Sequence, residues 1–286
     1  MKIDKPDPRI GAIATDVDVR SLSDSDWTAL YRAWLDGIVL VVRGQNLTIP
    51  EFLAYSRRFG RVKPHRVKRT RHPEFPELTV MGLGTRKADG QVDKVIYDRG
   101  GGWHTDSPWD QEICKATQLY GIAIPSHGGD TLFASTRAAY EALSDGMRKM
   151  VDSLVGVNSA GLKHGGGRSK MHSKIGGMKV HDTDEADQYE AEHPVARTHP
   201  ETGKKALYVS RSHTIRFRDM TEEESRPIVE WLQSHITRPE FTCRVRWEPG
   251  TLTVWDNRCT QHNAVNDYHG QRRRMRRLTV GPQTPQ

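Results

Sequence analysis

The chain has 286 residues, 35% of them hydrophobic and 28% charged, with a formal net charge of +7. This length suits one large β-rich domain or two small ones. No segment approaches the roughly 20 apolar residues of a membrane helix, and the first residues lack the apolar region of a secretory signal. The three cysteines are too few for a disulfide framework, so the sequence predicts a cytoplasmic protein.

The positive charge is spread along the chain, with two denser clusters at 58–70 and 272–277. A basic protein attracts either nucleic acid or small acidic molecules. We expect small acids, because the second cluster belongs to a candidate anion site near the end of the chain.

Two helices and a buried strand are predicted near the start of the chain. Ser23 is a favourable N-cap, and the apolar residues that follow it at helical spacing share one face. The predicted elements are a helix from Ser23 to Gly37, a strand over 38–42 and a helix from Pro50 to about Phe59.

Short strands and two more helices are predicted in the rest of the chain. The predicted strands cover 78–81, 118–124, 242–247, 251–255 and 272–280, and the predicted helices cover 137–155 and 221–236. Residues 161–181 are rich in Gly, Lys and His and too long for an ordinary connection. They predict a disordered insertion or a flexible lid over a site. No linker is evident, so we expect a single domain over 1–286, built as a sandwich or barrel.

His104 and Asp106 have the clearest metal-binding chemistry. Residues two apart on an extended backbone point to the same face, so one strand end offers an imidazole and a carboxylate to a single ion. His262 follows a predicted strand and would add a second imidazole. Two histidines and one carboxylate leave three positions open, which is typical of non-haem iron(II) oxygenases. Zinc would prefer four protein ligands in a tetrahedral arrangement, or three protein ligands and a water used for hydrolysis.

A histidine and an aspartate two residues apart are a weak signal in a chain with 13 histidines. The arginines after His262 strengthen it. In a strand, Arg273, Met275 and Arg277 share one face, and guanidinium groups bind carboxylates through two hydrogen bonds. The alternative interpretation is a solvated basic edge strand or a nucleic-acid patch, which accounts for the opposite face.

These residues and several further motifs together resemble the taurine/2,4-D dioxygenase family of iron(II)/2-oxoglutarate enzymes. The resemblance extends over about residues 8–282, with every motif in family order. The motifs are WHTD (103–106), GGDT (128–131), RTHPETGKKALYV (197–209), HITRPEF (235–241), WDNRCTQH (255–262) and the arginine-rich tail (271–277). The family fold implies a mainly β protein with flanking helices and a double-stranded β-helix core, which is a jelly-roll or cupin-like architecture.

The resemblance also implies roles for single residues. His104, Asp106 and His262 match the family's iron ligands and are the implied catalytic residues. Arg273 and Thr131 match the residues that bind the 2-oxoglutarate cosubstrate.

Three further residues are implied to contact the primary substrate. Arg277 matches the arginine that holds the substrate's anionic group. His213 stands where taurine-specific enzymes place a phenylalanine, and His65 matches a substrate-contacting histidine. Glycines at 100–102 also replace an asparagine of those enzymes. These departures disfavour taurine itself and leave sulfonates, alkyl sulfates and aryloxy or other carboxylates open.

The resemblance therefore implies a dioxygenase that uses Fe(II), 2-oxoglutarate and O2 to hydroxylate a small anionic organic substrate, often with cleavage at the hydroxylated carbon. We expect no nucleic-acid or membrane partner, and by analogy a dimeric or tetrameric homo-oligomer. The alternatives are a metal-dependent hydrolase on the same three ligands and a non-catalytic binding protein with the same barrel. A hydrolase has no need of a clamp for a 2-oxo acid, and a binding protein has no need of intact metal ligands.

Overall fold

The structure is a computed structural model that describes residues 1–64, 71–82, 102–160, 190–268 and 271–281. The predicted lid at 161–181 and the candidate substrate residue His65 lie outside the described residues. Within the described ranges the protein is mainly β, with five α-helices and sixteen strands. None of these helices is long and apolar enough to cross a bilayer.

The helices are α1 (Asp24–Gly37), α2 (Ile49–Arg57), α3 (Thr136–Glu141), α4 (Asp145–Ser153) and α5 (Glu222–Ile236). The strands are β1 (Lys2–Asp4), β2 (Ala12–Thr15), β3 (Val39–Val42), β4 (Val62–Lys63), β5 (Thr79–Met81), β6 (Ala116–Ala123), β7 (Thr131–Ser135), β8 (Val155–Ser159), β9 (Glu190–Pro194), β10 (Ala196–Thr198), β11 (Lys205–Leu207), β12 (Thr214–Phe217), β13 (Thr242–Val245), β14 (Leu252–Asp256), β15 (Thr260–Ala264) and β16 (Arg274–Val280).

Helix α1 begins at the predicted N-cap, because the hydroxyl of Ser23 accepts a hydrogen bond from the backbone N–H of Asp26 at 3.1 Å. The helix ends at Gly37 as predicted, but the left-handed residue that ends it is Ile38, with a φ of 56°. Glycine at 37 allows close packing, since a Cβ there would lie 3.2 Å from the backbone carbonyl carbon of Gly11.

Helices α2 and α5 begin with capping boxes, in which a threonine and the glutamate three residues later bond each other's backbone N–H. The sequence predicted the box of Thr221 and Glu224, and it predicted the start of α2 within one residue.

The single helix predicted over 137–155 is wrong, because two helices, α3 and α4, occupy this stretch. Ser144 starts the second, since its hydroxyl accepts a hydrogen bond from the N–H of Met147 at 3.4 Å. Val155 already belongs to β8, which pairs with β9 and β12.

The largest sheet has eight strands in the order β1-β2-β3-β14-β6-β16-β4, with β5 also paired to β16. Two three-stranded sheets have the orders β13-β7-β15 and β12-β8-β9, and β10 pairs with β11. All the predicted strands are confirmed, with ends within two residues. His262 follows β14 as predicted, but the sequence did not predict the next strand, β15, in which it lies. The polar sequence of β15 has no apolar alternation to reveal it.

Large side chains of the eight-stranded sheet pack against those of the sheet β13-β7-β15. Trp255 and Met275 from the largest sheet share one buried cluster with Phe133 of β7 and Val245 of β13. The two sheets therefore form a sandwich, and its interior holds the predicted site.

The strand β16 lies inside the largest sheet and not at a solvated edge, so the edge-strand interpretation of the basic tail is wrong. Leu278 and Val280 are fully buried in a cluster with residues of α1 and α2. Arg276 donates from Nη1 to the carbonyl oxygen of Leu47 at 3.0 Å. Both faces of β16 are covered, one by helices and one by the sandwich interior.

Candidate active site

An antiparallel bridge between two distant segments brings His104 and His262 together. The backbone N–H of His104 donates to the carbonyl oxygen of His262 at 3.1 Å, and the reverse hydrogen bond is 2.8 Å long. Their ring centroids consequently lie only 4.1 Å apart.

Asp106 completes this group of side chains. Its Oδ1 lies 3.9 Å from the Nε2 atoms of both His104 and His262. One ligand atom from each residue lies within 4.8 Å of the others, and all three residues are buried. The three predicted metal ligands thus converge at one point, which we call the ligand cluster.

The imidazole of His104 is oriented by the carbonyl oxygen of Gly102, which lies 2.7 Å from Nδ1. A carbonyl oxygen only accepts, so Nδ1 carries the proton and Nε2 keeps its lone pair. Gly102 has a φ of +87°, a backbone conformation that favours glycine. The glycine before the WHTD motif therefore helps to set the tautomer of His104.

Asp106 stays ionised although it is buried. Burial acts to raise the pKa of its carboxyl group, but the positive charge of Arg277 and the hydrogen bond from Thr117 hold that pKa well below its usual range. Nη2 of Arg277 lies 2.9 Å from Oδ2, and the Thr117 hydroxyl donates to the same oxygen at 2.7 Å. Two donors occupy Oδ2, while Oδ1 faces the imidazoles.

Arg273 is a second candidate anion-binding group, and it lies between the GGDT turn and Trp247. Its Nε donates to the carbonyl oxygen of Gly129 at 3.0 Å, and its guanidinium carbon lies 5.9 Å from the ring of Trp247. Loss of hydration lowers the pKa of its guanidinium, although the carboxylate of Asp130 acts to raise it. That carboxylate is already paired with Arg244 at 2.6 Å. A guanidinium in this position favours an anionic ligand.

The GGDT motif, which ends at Thr131, forms a turn against which Arg273 packs. Gly128 and Gly129 have φ values of +72° and +73°. The N–H of Gly129 donates to Oδ1 of Asp267 at 2.7 Å. A Cβ at Gly129 would lie 3.2 Å from Nε of Arg273, so glycine permits the close approach of the guanidinium.

His213 lies beside the ligand cluster. Its ring centroid is 6.4 Å from that of His104 and 4.8 Å from that of Trp109. Of the three predicted substrate contacts, Arg277 and His213 are therefore close to the predicted metal ligands.

Three side chains at the site had no signal in the sequence: Thr117, Trp247 and Asn257. Trp247 donates from Nε1 to the hydroxyl oxygen of Thr131 at 3.0 Å. Asn257 donates from Nδ2 to the hydroxyl oxygen of Thr117 at 2.9 Å. Asn257 stands in the WDNRCTQH motif, which marked the segment but not this residue.

A second group of possible metal-ligating side chains, His199, Asp256 and Cys259, is also buried. Its carboxylate is already used, because Arg258 donates to both oxygens of Asp256 at 2.8 Å and 2.6 Å. Nε2 of His199 lies 3.0 Å from the same carboxylate. Burial opposes ionisation, but Arg258 and His199 lower the pKa of Asp256 to about 2. This group is a structural ion pair.

Replacing Arg258 with methionine is expected to destabilise the fold by about 3–5 kcal/mol at neutral pH, because a buried carboxylate loses its partner. The pKa of Asp256, about 2 against an ordinary 3.8, means that the ion pair stabilises the native protein above about pH 4 and stops doing so as pH falls through 2. Urea unfolding followed by tryptophan fluorescence measures the loss. Adding Asp256→Asn should recover much of it, and a loss below about 1 kcal/mol would contradict this interpretation.

The sequence matches a family model described as taurine catabolism dioxygenase TauD, TfdA family, over residues 2–279. It is 34% identical over 280 residues to an alkylsulfatase of Acinetobacter baylyi, covering 95% of this chain and 82% of the relative. It is 38% identical over 222 residues to an alpha-ketoglutarate-dependent sulfate ester dioxygenase of Pseudomonas putida, covering 75% of this chain and 69% of the relative.

A solved structure of a taurine dioxygenase from Burkholderia xenovorans matches the fold with a TM-score of 0.79 and 31% identity, covering 99% of this chain and 90% of that chain. The expected β-rich jelly-roll fold is confirmed, and so is the prediction of an enzyme from this family. The chain belongs to the taurine catabolism dioxygenase TauD, TfdA family.

Proposed function

We propose that this dioxygenase depends on iron(II) and 2-oxoglutarate and hydroxylates a small organic anion, with sulfate esters as the first candidates. The main support is the convergence of two imidazoles and a carboxylate beside Arg277. Arg273 directly precedes the strand that carries Arg277. We infer a single catalytic domain over 1–286, because strands from both halves of the chain pair in the largest sheet.

The residues that would hold the metal are His104, Asp106 and His262. Two imidazole nitrogens and one carboxylate oxygen form the donor set of non-haem iron(II) oxygenases. Bound iron(II) would supply the activation of O2 and the oxidative decarboxylation of 2-oxoglutarate. The protein's own part is to keep Asp106 ionised, which Arg277 and Thr117 favour.

Arg273 and Thr131 would bind the distal carboxylate of 2-oxoglutarate. Gly129 holds Nε of Arg273, which leaves the two terminal nitrogens for a carboxylate, in the forked geometry that guanidinium favours. Thr131 accepts a hydrogen bond from Trp247. The hydroxyl hydrogen of Thr131 therefore points away from the indole and is available to an anionic oxygen.

Arg277 would hold the anionic group of the primary substrate, with His213 beside His104. Relatives named as an alkylsulfatase and a sulfate ester dioxygenase support a sulfate ester. Hydroxylation of the carbon that bears the ester oxygen gives an unstable product, which loses sulfate and leaves an aldehyde. One alkyl sulfate, one 2-oxoglutarate and one O2 thus give one aldehyde, one sulfate, one succinate and one CO2.

The test is succinate release in the presence of Fe(II), O2 and one of three acids: hexyl sulfate, hexanesulfonate or phenoxyacetate. Hexyl sulfate is expected to stimulate succinate release at least about tenfold over the substrate-free rate, with hexanal and sulfate formed in equal amounts. The sulfate ester assignment is wrong if another acid stimulates more strongly, and the reaction class is wrong if no acid stimulates release.

A metal-dependent hydrolase on the same ligands is the second candidate, because one relative is named an alkylsulfatase. A hydrolase would form hexanol instead of hexanal and would need neither O2 nor 2-oxoglutarate. Sulfate release under anaerobic conditions without 2-oxoglutarate would favour it.

We also propose a cytoplasmic homo-oligomer, dimeric or tetrameric, that binds neither nucleic acid nor membrane. All three cysteines are free, which suits a reducing compartment. Light scattering after gel filtration gives the mass of the assembly, and a monomeric mass would contradict this part of the proposal.

A further inference from the structure

A chain of hydrogen bonds behind the ligand cluster ends on Asp106. The indole of Trp255 donates from Nε1 to Oδ1 of Asn257 at 3.0 Å. Nδ2 of Asn257 donates to Oγ1 of Thr117 at 2.9 Å, and the Thr117 hydroxyl donates to Oδ2 of Asp106 at 2.7 Å. We call Trp255, Asn257 and Thr117 the relay.

The direction of the relay is set at its far end. An indole N–H only donates, so Oδ1 of Asn257 must face Trp255 and Nδ2 must face Thr117. A hydroxyl that accepts from an amide turns its own hydrogen elsewhere, here to Asp106. The second hydrogen of Nδ2 is directed at Sγ of Cys114, 3.1 Å away, which fixes the amide further.

The relay lies in a dry part of the protein. Trp255 is 1% exposed, and Asn257 and Thr117 are 0% exposed. Hydrogen bonds in such surroundings have no water to compete with them, and reversing one of them would leave buried donors or acceptors unpaired. The Thr117 hydroxyl is therefore a fixed donor towards Asp106.

We propose that the relay, together with Arg277, holds Asp106 so that only Oδ1 is offered to the metal. The Thr117 hydroxyl and Arg277 occupy Oδ2, whereas Oδ1 lies 3.9 Å from each imidazole Nε2. A carboxylate bound through both oxygens would take a coordination position that the cosubstrate or O2 needs. Thr117 is a positioning residue in this scheme, which rests on the proposed metal site.

The test is the metal affinity of Thr117→Val, which keeps the shape of the side chain and removes the hydroxyl. Mn(II) serves as the probe, because the EPR signal of the free ion is lost on binding and no turnover is needed. The apparent Kd of this variant is expected to rise about 10- to 100-fold. Thr117→Ser keeps the hydroxyl and is expected to bind within about threefold of the wild type.

A second readout distinguishes positioning from packing. Water proton relaxation of the protein-bound Mn(II) reports how many exchangeable waters the ion carries. That number is expected to fall in Thr117→Val, because Oδ2 then keeps only Arg277 and can turn towards the metal, and to stay unchanged in Thr117→Ser.

Thr253→Val is the matched control. Thr253 is a fully buried threonine of β14, which pairs with the strand that carries Thr117, and its hydroxyl has no hydrogen-bond partner among the described residues. This variant should bind Mn(II) like the wild type. Thermal unfolding of the metal-free proteins shows whether Thr117→Val folds. If it does not, Trp255→Phe replaces it, with a severalfold rise in Kd expected.

Wild-type Mn(II) affinity in a folded Thr117→Val protein would overturn the positioning role. A loss of Mn(II) affinity that also occurs in Thr117→Ser, or in Thr253→Val, would overturn it as well. In each of these cases the proposed function stands, since the wild type still binds the ion. The proposed function fails, and the relay's role with it, if the wild-type protein itself does not bind Mn(II).

Discussion

Substitution of Asp106 by alanine is expected to lower kcat/KM by roughly 1,000-fold or more, a loss of about 4 kcal/mol in transition-state stabilisation. The carboxylate supplies the negative charge of the ligand cluster, and two neutral imidazoles alone hold a divalent ion weakly. Succinate release measures the loss of turnover, and Mn(II) titration measures the loss of metal binding.

Asp152→Ala is a suitable control for the loss of a carboxylate. Asp152 lies at the surface in α4, paired with Lys205 at 2.8 Å, and such exposed pairs contribute about 1 kcal/mol or less. Its activity should stay within about twofold of the wild type. An Asp106→Ala protein that keeps a tenth of the wild-type turnover would mean that the reaction takes place elsewhere.

Arg273→Met and Arg277→Met are each expected to raise a different Michaelis constant. Arg273→Met should raise the KM for 2-oxoglutarate about 100-fold, or about 3 kcal/mol, because a charge-assisted, two-point contact with its carboxylate is lost. The KM for the primary substrate should change little. Arg277→Met should raise the KM for the primary substrate by a similar factor. It should also weaken metal binding, because Arg277 contacts Asp106, so the rates are measured at saturating Fe(II), where the KM for 2-oxoglutarate should change little.

The adjacent Arg276→Met is the matched control for both arginine variants. Arg276 lies on the opposite face of β16 and donates to the carbonyl oxygen of Leu47. The Arg276→Met protein should therefore be less stable than the wild type but have the same two Michaelis constants. Initial rates at varied 2-oxoglutarate and varied alkyl sulfate separate the two constants. If Arg273→Met and Arg277→Met behave alike, the division of roles between them is wrong.

The sequence predicted best where the signal is local. Ser23 and Thr221 mark helix starts because an N-cap needs only its own side chain and the next turn. The sequence prediction failed where an element forms only by pairing with a segment far away in the chain. The segment Thr260–Ala264 is a strand because it pairs with β7, although its polar residues show no apolar alternation.

The same division holds at the site. The HxD spacing placed His104 and Asp106 on one face, and the family motifs added His262 and the two arginines of the tail. Nothing in the local sequence showed that Arg277 would contact the carboxylate of Asp106, with Nη2 2.9 Å from Oδ2. Trp247 and Asn257 were also missed, because a tryptophan at a strand end and an asparagine in a turn are ordinary residues at such places.

By itself, the sequence determined the family, the mainly β fold and the chemical identity of the candidate ligands, because these depend on residue types at short, fixed spacings. The tertiary structure alone decided that both faces of β16 are covered, that His104 pairs with His262 and that two donors occupy Oδ2 of Asp106. Such contacts join residues far apart in the chain. They depend on the register between strands, which side-chain periodicity within one strand does not specify.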